Sequence, residues 1–292
     1  MTAERDVVLP FVFDALPVRG AVIQLESAWQ RMLEGRAYRR PVLEALGHSA
    51  AASALIAQSL KFDGSITLQI SGDGPLAMLV VQCTSRLELR GMASAERVGD
   101  DGLSFADLVS NARCAVTVDA AERRRSYQGI VEVSGPSLAA SLEHYYARSA
   151  QIPTWLALVS DAACAGGILL QQLPGNEPVD AEEWRRLGAL AATLALPDLS
   201  GGIGPGLLQR LFAEDDLRVF RPREAVFRCR CSDERVETVL RLLGRREAEA
   251  LLAAEGRVEV TCEYCARVRR YDAAALERVF GRGWRPPGVT LH

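Results

Sequence analysis

The sequence predicts an α+β protein: a mixed α/β N-terminal core domain, a helical linker, and a small C-terminal domain organised by cysteine. Three observations predict this. Residues 1–176 are crossed by short apolar runs bounded by glycine and proline, the pattern of sheet strands. Residues 177–226 switch to a helical period interrupted by a glycine-rich joint. Residues 227–292 carry four of the seven cysteines, in two close pairs.

Composition narrows the class. The chain has 292 residues, of which 49% are hydrophobic and 24% charged, which excludes a wholly disordered or fibrous protein. A net charge of −3 speaks against a generic polyanion binder. The longest apolar runs, 75–81 and 190–196, fall short of the roughly 18 residues of a membrane span. Glu4, Arg5, Asp6 and Asp14 surround a short apolar piece with no small-residue cleavage site, so the N-terminus does not read as a signal peptide. A cytoplasmic protein with no membrane partner is expected.

In the first part, Val22, Ile23 and Leu25 form a strand-like piece after Arg19-Gly20. Residues 42–60 read as a helix through Leu43, Leu46, Leu55, Ile56 and Leu60. Residues 65–70 alternate as a half-buried strand does; 71–75 turn, and 76–82 resume a strand. A strand at 127–133 ends at Ser134-Gly135-Pro136, a helix covers 137–149, and strands at 154–159 and 167–172 complete the set.

In the second part, Asp180 with Glu183 resembles a capping box. Trp184, Leu187, Leu190, Ala191 and Leu194 make an apolar stripe, and Pro197 is expected to end that helix. Residues 200–206 read as a flexible hinge rather than a phosphate loop, because no lysine follows. Leu207, Leu208, Leu211 and Phe212 mark a second short helix. Two helices with no strand partner must lie on another domain, which makes this a metastable segment.

In the third part, Ser232 caps a helix carrying Val236, Val239, Leu240 and Leu243, stopped at Gly244. A helix over 246–255 ends at Gly256, Val258 and Val260 alternate into Cys262, and Asp272 caps a last helix with Leu276, Val279 and Phe280.

Cys83, Cys114 and Cys164 sit singly in apolar surroundings and read as small core residues. The rest occur as Cys229-Arg230-Cys231 and Cys262-Glu263-Tyr264-Cys265 among polar flanks. Two close pairs separated by a helical insertion are the pattern of a tetrahedral zinc site, with four thiolates at about 2.3 Å from the ion. One Zn2+ per chain is expected in the reduced state. Four thiolates close every coordination position, so the metal would be structural. Thiolates are also what oxidants attack, and Arg228 and Arg230 favour the anion. Each pair can close on its neighbour, Cys229 with Cys231 and Cys262 with Cys265. A strand spacing of ~6.6 Å across Cys229 and Cys231 would strain that disulfide and keep it reducible.

The order Cys-x-Cys, long insertion, Cys-x-x-Cys near the C-terminus resembles the heat shock protein 33 family, redox-regulated bacterial holdases. The resemblance extends to Phe227–Arg235 as a stretch, Tyr127-Gln128-Gly129, Leu138–Glu143, Tyr146–Ser149, Gly72-Asp73-Gly74-Pro75, Arg90-Gly91 and Ala165–Gln171, and so covers essentially the whole chain. It implies a core domain, a helical linker wrapped over it, and a zinc domain. It further implies that oxidant with mild unfolding forms two disulfides, frees zinc, melts the linker and favours a homodimer that holds unfolding clients without ATP. The linker stripe is expected at Trp184, Leu187, Leu190, Leu194, Leu211 and Phe212. Ser141 stands where some relatives carry an extra cysteine, and Cys83, Cys114 and Cys164 are not part of the family's switch.

Two other classes compete. Arg257, Arg267, Arg269, Arg270, Arg278, Arg282 and Arg285 give the last domain a basic cast, as a zinc-ribbon nucleic-acid module would have. A solvated face explains it with few stacking aromatics. A thiol oxidoreductase would use Cys262 and Cys265 but needs a helix after a strand, where a second strand is expected. His48, His144 and His292 have no ligand spacing, and no serine sits in a nucleophile elbow, so no enzyme site is expected.

Overall fold

The computed structural model describes residues 3–120, 126–133, 135–175 and 177–281, in two compact units, Met1–Arg228 and Cys229–His292. Ser134, Arg282, Arg285 and His292, named above, lie outside the described residues.

The first unit opens with strands β1 (Val7–Phe13) and β2 (Val18–Leu25), then helices α1 (Ser27–Leu33) and α2 (Arg40–Ser59). Strands β3 (Gly64–Gly72), β4 (Met78–Thr84) and β5 (Glu88–Ser94) follow, then a turn of helix α3 (Phe105–Leu108) and strands β6 (Ala112–Ala120) and β7 (Tyr127–Val131). Helix α4 (Leu138–Tyr145) runs into a π-helical turn at Tyr146–Ala150, before β8 (Thr154–Ser160) and β9 (Ala165–Gln172). Helices α5 (Ala181–Ala191), α6 (Leu196–Leu199) and α7 (Pro205–Leu211) lead to the short strands β10 (Leu217–Val219), β11 (Arg223–Glu224) and β12 (Val226–Phe227).

Two sheets result. One runs β10-β1-β2-β9-β8 with β11 also on β1, and the other β12-β5-β4-β3-β6-β7. Pairing is antiparallel except for β12 on β5. Helix α2 packs against strands of both sheets, and residues 45–57 along it are nearly all buried. Alanine and serine at positions 49–54 allow that close approach.

The first sheet is apolar on both faces. Val8, Ala21, Ile23 and Leu169 join the core around α2. Val7, Leu9, Phe11, Phe13, Val22, Ile168 and Leu170 point the other way and are buried under α5–α7. A strand with period-2 burial on both sides needs a cover on both sides. The run Val7-Val8-Leu9-Pro10-Phe11-Val12-Phe13 carried that signal, but β1, like β5 and β6, is not among the strands read from sequence. Gly20 sits opposite Phe11, whose ring lies where a Cβ would be, 2.2 Å away.

Several expectations change. The linker has strand partners: β10 and β11 pair with β1 and β12 with β5, and a third helix, α6, lies within it. Pro197 begins α6 instead of ending α5, where its missing N–H costs nothing. Asp180 does cap α5, accepting from the amides of Glu182 and Glu183, but the Glu183 carboxylate turns to Arg186. The glycine-rich joint is pinned, since Ile203 and Glu4 exchange backbone hydrogen bonds of 2.8 and 2.9 Å.

His48 lies on α2 with its pKa pushed down to about 4 by burial, partly offset by Glu44. The folded chain holds the imidazole neutral, while the unfolded chain protonates it near the ordinary value of 6.5. Stability is full above that value and falls as pH drops toward 4, by roughly 2 kcal/mol between about pH 7 and about pH 5. Urea unfolding at the two pH values should show the loss, and His48→Gln should flatten it.

Candidate metal centre and docked helical segment

The second unit holds α8 (Asp233–Leu243), α9 (Arg245–Glu255), β13 (Val258–Thr261), β14 (Val268–Tyr271) and α10 (Ala273–Phe280). Ser232 caps α8 through the amide of Arg235, and Gly256 ends α9 in the left-handed region. Asp272 caps α10 through the amide of Ala275. The core is small: Val236, Leu240, Ala248, Val258, Tyr271, Leu276, Val279 and Phe280. Val239 and Leu243, expected on its apolar face, are exposed on α8.

All four paired cysteines converge. Cys229 and Cys231 lie in the stretch before the cap of α8, and Cys262 and Cys265 in the turn between β13 and β14. That turn is tied by Cys262 N–H to the Arg267 carbonyl and Ala266 N–H to the Cys262 carbonyl. The four Sγ atoms lie within 4.8 Å of one another. Cys229 Sγ is 3.6 Å from Cys262 Sγ, and Cys231 Sγ is 3.5 Å from Cys265 Sγ. A tetrahedral site with metal–sulfur bonds of about 2.3 Å has sulfur–sulfur edges of about 3.8 Å. The donor set therefore fits one tetrahedral, thiophilic metal ion, and it is the only such group among the described residues.

Of the two arginines expected beside the thiols, Arg228 turns to the first unit. Arg228 pairs with Glu88 at 3.0 Å. Arg269 instead sets Nη1 3.7 Å from Cys231 Sγ while bonding Asp233 through Nε. Burial opposes the Cys231 thiolate, but hydrogen bonds from Cys229 and Arg269 outweigh it and bring its pKa down to about 7. Burial pushes Cys229 up to about 12 and also raises Cys265. Of the lone cysteines, Cys83 and Cys114 are buried in the core, with burial raising both to about 12. Cys164 is half-buried and is raised to about 11.

In the first unit the expected stripe covers the outer face of the first sheet. Leu187, Leu194, Leu211 and Phe212 are buried there, with Trp184 and Leu190 packed at the edge. Phe212 meets Phe13 edge-on at 5.2 Å and Phe11 at 5.9 Å. Trp155 on β8, missed in the sequence, is the seat of α5. Its Nε1 donates to the Trp184 carbonyl at 3.0 Å, and its ring lies 2.3 Å from where a Cβ on Gly188 would sit. Arg186 bonds both Glu183 and Asp215, tying α5 to the turn after α7.

The comparisons agree with this arrangement. The family profile described as Hsp33 protein matches residues 6–272. A relative from Ectopseudomonas mendocina, named 33 kDa chaperonin, is 40% identical over 97% of this chain and 98% of its own. One of the same name from Methylobacillus flagellatus is 38% identical over 92% of each chain. The crystal structure of the heat shock protein 33 homolog from Thermotoga maritima superposes with a TM-score of 0.77, covering 94% of this chain and 98% of that one at 22% identity. The family and the site define a chaperone with a four-cysteine cluster able to hold a metal ion. The chain belongs to the Hsp33 family.

Proposed function

We propose that the chain is a redox-controlled, ATP-independent cytoplasmic holdase in three parts: core 1–176, linker 177–226 and switch 227–292. The observation that carries this is the convergence of four thiols on one metal-sized site in a unit whose core holds only eight buried residues among those described. Zinc, when bound, supplies four bonds to thiolate that cross-link the two halves of that unit. Cys229, Cys231, Cys262 and Cys265 hold one ion per chain, and Arg269 supports the thiolate of Cys231. A peroxide accepts two electrons from each cysteine pair and leaves as water. The products are the local disulfides Cys229–Cys231 and Cys262–Cys265, which can no longer act as four thiolate ligands.

The linker is anchored to the sheets almost up to the first ligand in sequence. The ladder continues past its end to Arg228 N–H on the Leu89 carbonyl at 2.8 Å, one residue before Cys229. Disorder in the switch therefore begins where the anchorage of the linker stops. Release of α5–α7 would uncover both the stripe and the Phe11–Phe13 face, apolar surface that holds unfolding clients and favours a homodimer. No catalytic residue and no nucleic acid are needed. Arg257 and Arg270 both pair with Glu259, and Arg269 with Asp233, so much of the basic cast is spent in ion pairs.

The test follows zinc, free thiols and client aggregation together during peroxide treatment. Zinc loss, disappearance of four thiols and aggregation suppression should coincide. Peptide mapping should return the two local disulfides. A dominant Cys229–Cys262 cross-link, or one through Cys114, would overturn the pairing.

A further inference from the structure

A cavity of about 520 Å³ opens between the first sheet, the end of α2 and the segment joining β10 to β11. Pro10, Ala21, Leu169 and Phe220 give it apolar walls, and three arginines stand around it: Arg19, Arg221 and Arg223. None of the three has a carboxylate partner among the described residues. Arg19 bonds Gln171 Oε1 through Nη2 at 2.8 Å, and its Nε is buried with no hydrogen-bond partner. Arg223 bonds Gln58 Oε1 and the Ser85 carbonyl, both uncharged.

The buried, unpartnered Nε of Arg19 beside apolar walls is costly, and an anion with planar oxygens relieves that cost through paired hydrogen bonds, with the exposed Arg221 adding positive charge at the mouth. Ser59 Oγ is spent on the Ile56 carbonyl and Gln58 Oε1 on Arg223, so little polar edge remains for a base or a sugar. The chemistry favoured is a charged head on an apolar body. We propose that this cavity binds a medium-chain carboxylate, its head on Arg19 and Arg221 and its chain against Ala21, Leu169 and Phe220.

The walls come from two sources. Arg19, Ala21 and Leu169 belong to the sheet, whereas Phe220, Arg221 and Arg223 belong to the linker, held by Phe220 N–H on the Pro10 carbonyl at 2.9 Å. A ligand touching both binds only while that segment is docked, and so stabilises the docked state. Its effect on chaperone activity rests on the holdase reading; the binding itself does not.

Calorimetric titration of the full, reduced, zinc-loaded chain with octanoate should show one saturable site. Arg221→Gln, at an exposed position, should weaken binding about tenfold, and Arg19→Gln at least as much. Octanol and inorganic phosphate should each bind far more weakly. No saturable binding, equal binding of octanol, equal binding of phosphate, or unchanged affinity in both variants overturns the proposal. Amide exchange at Phe220, read with no client present, should slow in saturating octanoate; unchanged exchange overturns the coupling to the linker.

Discussion

Cys262→Ser should yield a protein without bound zinc and with an unfolded C-terminal unit. Structural zinc contributes about 10–16 kcal/mol in small peptides, against a net stability of about 5–15 kcal/mol for whole domains. Among the described residues the unit's core holds only eight buried side chains, too few to fold a small domain without such a cross-link. The β13–β14 hairpin is the sensitive reporter, because the ligand turn closes it and only four residue pairs hold it. Metal analysis should find no zinc, and amide exchange should be fast throughout 229–281. Protection in α2 and β3 should be unchanged, since those elements belong to the separate core of the first unit. A variant that keeps its zinc, or keeps a protected hairpin, would remove Cys262 from the ligand set.

Leu187→Glu should give aggregation suppression by a protein that is still reduced and zinc-loaded. Leu187, on the inner face of α5, is fully buried in a cluster that includes residues of β1, β2 and β9. Removing a buried leucine costs about 2–5 kcal/mol, and a carboxylate in its place adds the cost of an unpaired buried charge. The Asp180 cap and the part-buried Arg186–Asp215 pair are too weak to offset that. The helix should lift away and expose the Phe11–Phe13 face. Protease sensitivity in 181–212 should rise together with client protection. A variant with a cleaved, undocked α5 that protects clients no better than the parent would show that linker release is not the switch.

The metal centre was legible because ligand spacing is a local property. Two residues between Cys262 and Cys265 suit one turn, and the chain between the pairs needs only to return. The same locality made the caps at Ser232 and Asp272, the helix at 40–59 and the alternating strand at 64–72 readable. By itself, then, the sequence determined the class of protein, the four cysteines that converge and the amphipathic stripe from Trp184 to Phe212. Tertiary structure alone decided what that stripe covers. Strand pairing joins residues far apart in the chain, so nothing near 217–227 announces that these residues extend both sheets. The role of Trp155 as the seat of α5 depends on its lying opposite Gly188, a contact between distant segments. Arg269, not Arg228, reaches the Cys231 sulfur, because β14 carries Arg269 back to Cys231 while Arg228 is drawn to Glu88. Side-chain charge is written locally, but its partner is chosen by the fold.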